Sequence, residues 1–178
     1  LWGRWNTDPV LLVVMLATAM TGGWLLRGAS RQRQKAFVCG WALAAALFVS
    51  PLCALTVALF SARVSHHILL TMVVAPLLAM ALPRRWGRTG RQLPALCVST
   101  IALWLWHVPD IYAAAFAHPA LYWAMQISLL CSFTWLWLGL LRGRSALNAG
   151  TAALSSAIQM GMLGALLVFA PQALYVPH

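Results

Sequence analysis

Six long apolar stretches alternate with short, arginine-rich turns along this 178-residue chain, and acidic residues touch them only at their edges. A helix crossing the hydrocarbon of a bilayer needs ~20 mostly apolar residues. The segments that qualify are 8–26, 36–50, 62–82, 93–108, 119–141 and 151–175. A water-soluble globule of this size has too little interior to hide a chain that is 62% hydrophobic and 8% charged. Soluble single-domain enzymes, disordered tails and disulfide-framework secreted proteins are excluded on that ground. Period-two alternation is missing, which argues against strands and against a transmembrane barrel. The expected fold is all-α: a polytopic membrane helical bundle with six transmembrane helices, forming one integral-membrane domain over 1–178.

Prolines punctuate the pattern. The short second span extends through the apolar residues 51–60, with Pro51 marking a break or kink. The fourth starts at Leu93-Pro94 and stops at Val108-Pro109, because a residue before proline is pushed out of helical geometry. The last is capped by Asn148, Gly150 and Thr151 and ends near Pro171 or Tyr175. Ala36, Gly40 and Ala44 recur at four-residue steps on one helix face. Such a stripe lets a neighbouring helix approach closely; the alternative stays open that this is an Ala-rich helix with no special partner.

Charge gives the orientation. Arg27, Arg31, Arg33 and Lys35 lie in the first turn, Arg84, Arg85, Arg88 and Arg91 in the third, and Arg142 and Arg144 in the fifth. With six spans these turns share one side, and they carry ten of the twelve basic residues. The positive-inside rule puts that side in the cytoplasm and both termini on the outer (periplasmic) side. Arginines spaced by membrane spans do not form a nucleic-acid surface; the expected surroundings are a lipid bilayer. The chain opens on Leu1, and no signal peptide is expected ahead of the first span.

On this topology His66, His67, His107, His118 and His178 all fall at the outer face. Ionisable residues in a membrane mark functional sites, and imidazole suits copper, zinc and iron. His66, His67, His107 and His118 are therefore candidate metal ligands. The alternative stays open that they sit at helix ends among lipid headgroups and bind nothing. His66 and His67 project about 100° apart on a helix, so one of the two at most faces the bundle. Cys39, Cys97 and Cys131 read as small buried hydrophobes. Cys53 lies near the outer face, where a cysteine–histidine copper(I) site is a further option. Gln126 and Gln159 lie inside spans and require hydrogen-bond partners, best supplied by a neighbouring helix.

Several strings resemble one family. They are Trp5-Asn6-Thr7-Asp8, Ser50-Pro51-Leu52, Leu59-Phe60-Ser61-Ala62, His67 with Leu69-Leu70, Ala75-Pro76-Leu77-Leu78, Leu105-Trp106-His107-Val108-Pro109, Tyr112, His118, Gly164-Ala165 and Leu174-Tyr175. In this order and spacing they are similar to the CtaG/Caa3-type cytochrome c oxidase assembly proteins. The resemblance implies a non-enzymatic assembly factor of a haem–copper terminal oxidase, handling copper at the outer membrane face. Its partners would be the oxidase catalytic subunits. His67 and His107 match family histidines. Arg63 stands where the family carries a histidine, Val64 where it carries methionine, Met125 and Gln126 where it carries Glu-His, and Cys53 where an acidic residue is usual. A guanidinium stays protonated and cannot ligate a metal, so the implied copper site is incomplete.

Two readings therefore lead: an assembly factor that handles copper, and a non-catalytic accessory subunit of a terminal oxidase that has lost the copper site. In the second, an Arg63–Asp110 ion pair replaces the metal as a bridge between the third and fourth spans. A bis-histidine haem protein using His67 and His107 is less well supported. A proton-coupled transporter lacks a carboxylate inside a span, and a hydrolase lacks a carboxylate beside a histidine and serine.

Overall fold

A computed structural model describes residues 5–83, 86, 92–143 and 145–169, leaving aside the side chains of Ala54, Val57, Ala58 and Phe60. Helices are the regular structure of the described residues, with no strand among them. Two compact units divide the chain at Pro83 and Arg84.

The first unit starts with α1 (Pro9–Leu25) and α2 (Arg31–Val49), which form an antiparallel hairpin. Asp8 caps α1 by accepting from the amides of Val10 and Leu11, as an N-cap carboxylate does. The hairpin is tied along its length. Asn6 N–H donates to Val49 O at 2.9 Å, Trp41 Nε1 to Met15 O at 3.1 Å, and Gln34 Nε2 to Leu26 O at 3.1 Å. Gly22 leaves room for the Phe37 ring, which a Cβ at that position would strike. Gly28 closes the connecting turn at φ +80°, a backbone conformation glycine adopts without steric cost.

Ser50-Pro51 then breaks the chain away from α2. Ser50 is extended, its hydroxyl accepts from Leu52 N, and the short helix α3 (Pro51–Ala58) follows. A second extended residue, Leu59, leads into α4 (Phe60–Leu69). One π-helical turn, Leu70–Val74, joins it to α5 (Ala75–Ala81). Pro76 explains that turn: an interior proline removes one helical hydrogen bond and its ring crowds the carbonyl four residues back. Widening the helix just before it relieves the clash. The expected stripe is used here. Ala36, Gly40 and Ala44 are all buried, α2 packs on α5, and a Cβ on Gly40 would lie 3.0 Å from Leu77 Cβ. Arg33 Nε closes this contact by donating to Ala81 O at 3.0 Å.

The second unit holds α6 (Gln92–Trp106), α7 (Pro109–Ala117), α8 (Pro119–Arg142) and α9 (Ala146–Val168). α6 and α8 run antiparallel, since Gln92 Nε2 donates to Gly139 O at 2.9 Å and Trp106 Nε1 to Ser128 Oγ at 2.8 Å. Gly139 and Gly143 make space for the Gln92 side chain. Val108-Pro109 bends the chain by 76° between α6 and α7, and His118-Pro119 turns it again into α8 with His118 extended. Rings of Tyr112, Phe116, Tyr122 and Trp123 follow one another at 4.9, 5.9 and 5.6 Å between centroids, holding α7 on α8. Small polar side chains, Ser99, Ser132 and Ser156, are buried on α6, α8 and α9. Ser99 and Ser132 return their hydroxyls to their own helices, at Leu96 O and Leu129 O. Gln126 and Gln159 are buried as expected. The partners are not as expected: Gln126 Oε1 and both polar atoms of Gln159 have none among the described residues.

Three helices are long and apolar enough to cross a membrane: Ser61–Ala81, Pro119–Arg142 and Ala146–Val168. The bent pair α6 and α7 makes a fourth if counted as one span. α1 is shorter, at 17 residues, and the first turns of α2 carry Arg31, Arg33 and Lys35, so these two fall outside that set. The last helix begins five residues before the expected Thr151, because Ser145 is the actual N-cap, accepting from Asn148 N. The expected end of that span, at 171–175, lies outside the described residues. Leu12, Val13, Leu16 and Trp24 of α1 and Leu154, Ile158, Met162 and Leu166 of α9 are exposed. Apolar faces of this extent are covered by lipid or by another protein rather than by water.

Two outcomes test this packing. Gly40→Leu drives a side chain into Leu77 and should cost about 1–3 kcal/mol, read as a lower thermal midpoint in detergent and partly restored by Leu77→Ala. Gln159→Leu removes a buried amide whose desolvation costs about 1–3 kcal/mol when unmatched. Its midpoint should rise, and a fall would show that the amide is bonded in the membrane.

Candidate functional site: buried imidazoles beside proline and extended-residue elbows

In the first unit the polar side chains gather where α3 turns into α4. Arg63, His66 and His67 follow at helical steps of three and four, so they share one side of α4. Arg63 is buried, and its Nε donates to Thr56 O at 2.9 Å, satisfying a carbonyl in the last turn of α3. Thr56 is buried too, its hydroxyl returned to Cys53 O at 2.7 Å. One turn on, His66 is 3% exposed. Its ring meets Phe48 edge-on at 5.4 Å and His67 at 6.0 Å between centroids. Both ring nitrogens of His66 are buried without a hydrogen-bond partner among the described residues. His67 is half-buried, so one imidazole of the pair turns inward, as the 100° step requires. Thr71 Oγ1 donates to His67 O at 2.7 Å where the π-helical turn begins.

His107 and His118 bracket α7 in the second unit. His107 Nδ1 lies 2.6 Å from Leu103 O. A carbonyl only accepts, so Nδ1 carries the proton and the neutral ring keeps its lone pair on Nε2. His118 is exposed at the elbow before α8, and Asp110 is exposed in the first turn of α7, where a carboxylate is favourably placed against the helix dipole. Arg63 and Asp110 belong to different units, as do His67 and His107.

Among the described residues no group of three or more His, Cys, Asp or Glu side chains could hold a metal ion. The arrangement therefore offers paired imidazoles and no closed multi-ligand centre. The cysteines correct their reading as buried hydrophobes: Cys39, Cys97 and Cys131 are exposed and Cys53 is intermediate. An apolar thiol on a membrane helix loses nothing by facing outward, so its chemistry did not fix its side. Thr56, Phe48 and the π-helical turn complete the surroundings of the imidazoles and were not singled out from the residue pattern. Pro76 was the available signal for the turn; Thr56 and Phe48 carry none.

No curated protein and no solved structure matches this chain. The family model of the cytochrome c oxidase caa3 assembly factor matches residues 10–178. It thus covers both units, with α2–α3–α4 and α6–α7–α8 and every candidate histidine. The chain is a membrane protein, and it belongs to the cytochrome c oxidase caa3 assembly factor family.

Proposed function

We propose that the chain serves the assembly of a haem–copper terminal oxidase from the outer face of a bacterial inner membrane, with copper(I) as cargo at the His66–His67 end of α4. The observation that carries the site is His66: two buried ring nitrogens without a hydrogen-bond partner, 6.0 Å between ring centres from a second imidazole. A buried polar group normally has a partner, and an imidazole nitrogen suits copper. A site of two imidazoles holds an ion loosely enough to release it, which suits hand-over to an oxidase subunit better than retention. The chain's own residues bind and position, and the role asks no bond-making chemistry of them.

A second reading draws on Arg63. Its guanidinium is buried three residues before His66, and a fixed positive charge there opposes a metal cation. With no larger donor group among the described residues, this favours an accessory subunit that packs on the catalytic subunits without carrying copper.

Copper(I) titration of the purified full chain against a chromogenic chelator separates the two. The first reading expects one ion per chain, weakened ten-fold or more by His66→Gln and by His67→Gln and tightened by Arg63→Met. A chain that takes up no copper(I) and co-purifies in stoichiometric amount with an oxidase establishes the second. Arg63→Met also deprives Thr56 O of a charged donor, a bond worth about 1.5–3 kcal/mol, so its thermal midpoint should fall under either reading.

A further inference from the structure

We propose that the turn between α1 and α2 is a binding site for an anionic phospholipid, with the phosphate against Arg27, Arg31 and Lys35 and an acyl chain along the outer face of α1. Two grooves lie on either side of that turn in the chain. The larger, about 810 Å³, is lined by Ala17, Met20, Thr21, Gly23 and Trp24 and ends on Arg27. The smaller, about 350 Å³, is lined by Arg31, Gln34, Lys35, Val38 and Cys39. Most of the lining residues recur at steps of three and four, so the first groove follows the C-terminal half of α1 up to the turn and the second follows the N-terminal part of α2. The space against Gly23 is open, since a Cβ there would meet nothing within 4 Å.

The charges select the occupant. Of the four cations at this end, Arg33 is committed to Ala81 O. The side chains of Arg27, Arg31 and Lys35 make no hydrogen bond or ion pair among the described residues. Asp8 is the one acidic residue of the first unit, and it caps the far end of α1. Seventeen helical residues set it about 25 Å away, beyond a Debye length in physiological salt. An apolar groove that ends on Arg27, with Arg31 and Lys35 just across the turn, matches a molecule with a chain at one end and a phosphate at the other. A zwitterionic lipid brings its own ammonium and gains less.

Native mass spectrometry of the full chain in detergent, given dioleoyl phosphatidylglycerol or dioleoyl phosphatidylcholine, tests this. The chain should retain phosphatidylglycerol several-fold better. Arg27→Gln, Arg31→Gln and Lys35→Gln should each lower the preference, by up to about five-fold per cation, and together abolish it. Trp24→Ala should weaken retention of both lipids. Arg84→Gln with Arg85→Gln and Arg88→Gln should leave the preference intact. Equal retention of the two lipids by the unaltered chain overturns the proposal, as does loss of preference in the Arg84 set alone. Displacement of phosphatidylglycerol by millimolar inorganic phosphate would reduce the site to an anion site and overturn the acyl-chain part.

Discussion

A helix whose last turn is packed against its neighbours leaves its last carbonyls short of water to accept from, and this constraint organises both units. Four long polar side chains answer it. Gln34 donates to Leu26 O at the end of α1, Arg63 to Thr56 O at the end of α3, Arg33 to Ala81 O at the end of α5, and Gln92 to Gly139 O in the last turn of α8. None of the donors belongs to the helix it caps. Each bond therefore satisfies a carbonyl and ties two helices at once. Gly139 and Gly143 exist in this scheme as space for the Gln92 side chain, and the burial of Arg63 has a structural cause before any functional one.

The same constraint explains the elbows. Each unit repeats one local order: a long helix, a residue forced extended before proline, a helix of eight or nine residues, another extended residue, and a long helix. Ser50, α3 and Leu59 form it in the first unit; Val108, α7 and His118 form it in the second. Leu59 and His118 have nearly the same backbone, φ −132° and ψ 123° against φ −126° and ψ 115°. Short helices between extended residues keep most backbone groups bonded internally while reversing the chain, which an open loop in the same place would not.

Much of this was legible in the residues. Pro51 and Pro109 announced their breaks, and the Ala36–Gly40–Ala44 spacing offered a close helix contact as one of two readings, the one the packing of α2 on α5 bears out. The path of the chain beyond a proline break was not legible. An apolar run such as 51–60 fits a continuing span and a separate short helix equally well, and its hydrophobicity is the same in both. The start at Ser145 was hidden because Asn148, Gly150 and Thr151 offer equally good capping chemistry a turn later. The facing of single side chains was least legible. In water, burial sorts apolar from polar positions; in a membrane both faces of a helix are apolar. Cys131 and His66 illustrate the two directions: a thiol expected inside is exposed, and of two adjacent imidazoles it is His66 that the fold encloses.

Within the first unit the hydrogen bonds also fix a polarity. Asn6 N–H meets Val49 O at the end that leads into α3, Arg63 and His66, while Gln34 and Arg33 meet Leu26 O and Ala81 O at the end carrying Arg27, Arg31 and Lys35. From His66 to Ala81 the helix advances about 22 Å. The second unit has the same order, with Trp106, His107 and His118 at one end of α6 and α8, and Gln92, Gly139 and Arg142 at the other. Imidazoles and guanidiniums are thus segregated to opposite ends in both units, with Arg63 as the exception among the described arginines. That exception has its own logic. A guanidinium stays protonated and so always has a hydrogen to donate to the Thr56 carbonyl, whereas an imidazole donates only from a ring nitrogen that carries its proton. The position therefore commits its side chain to fixing the elbow, one turn before the enclosed imidazole of His66 on the same side of α4.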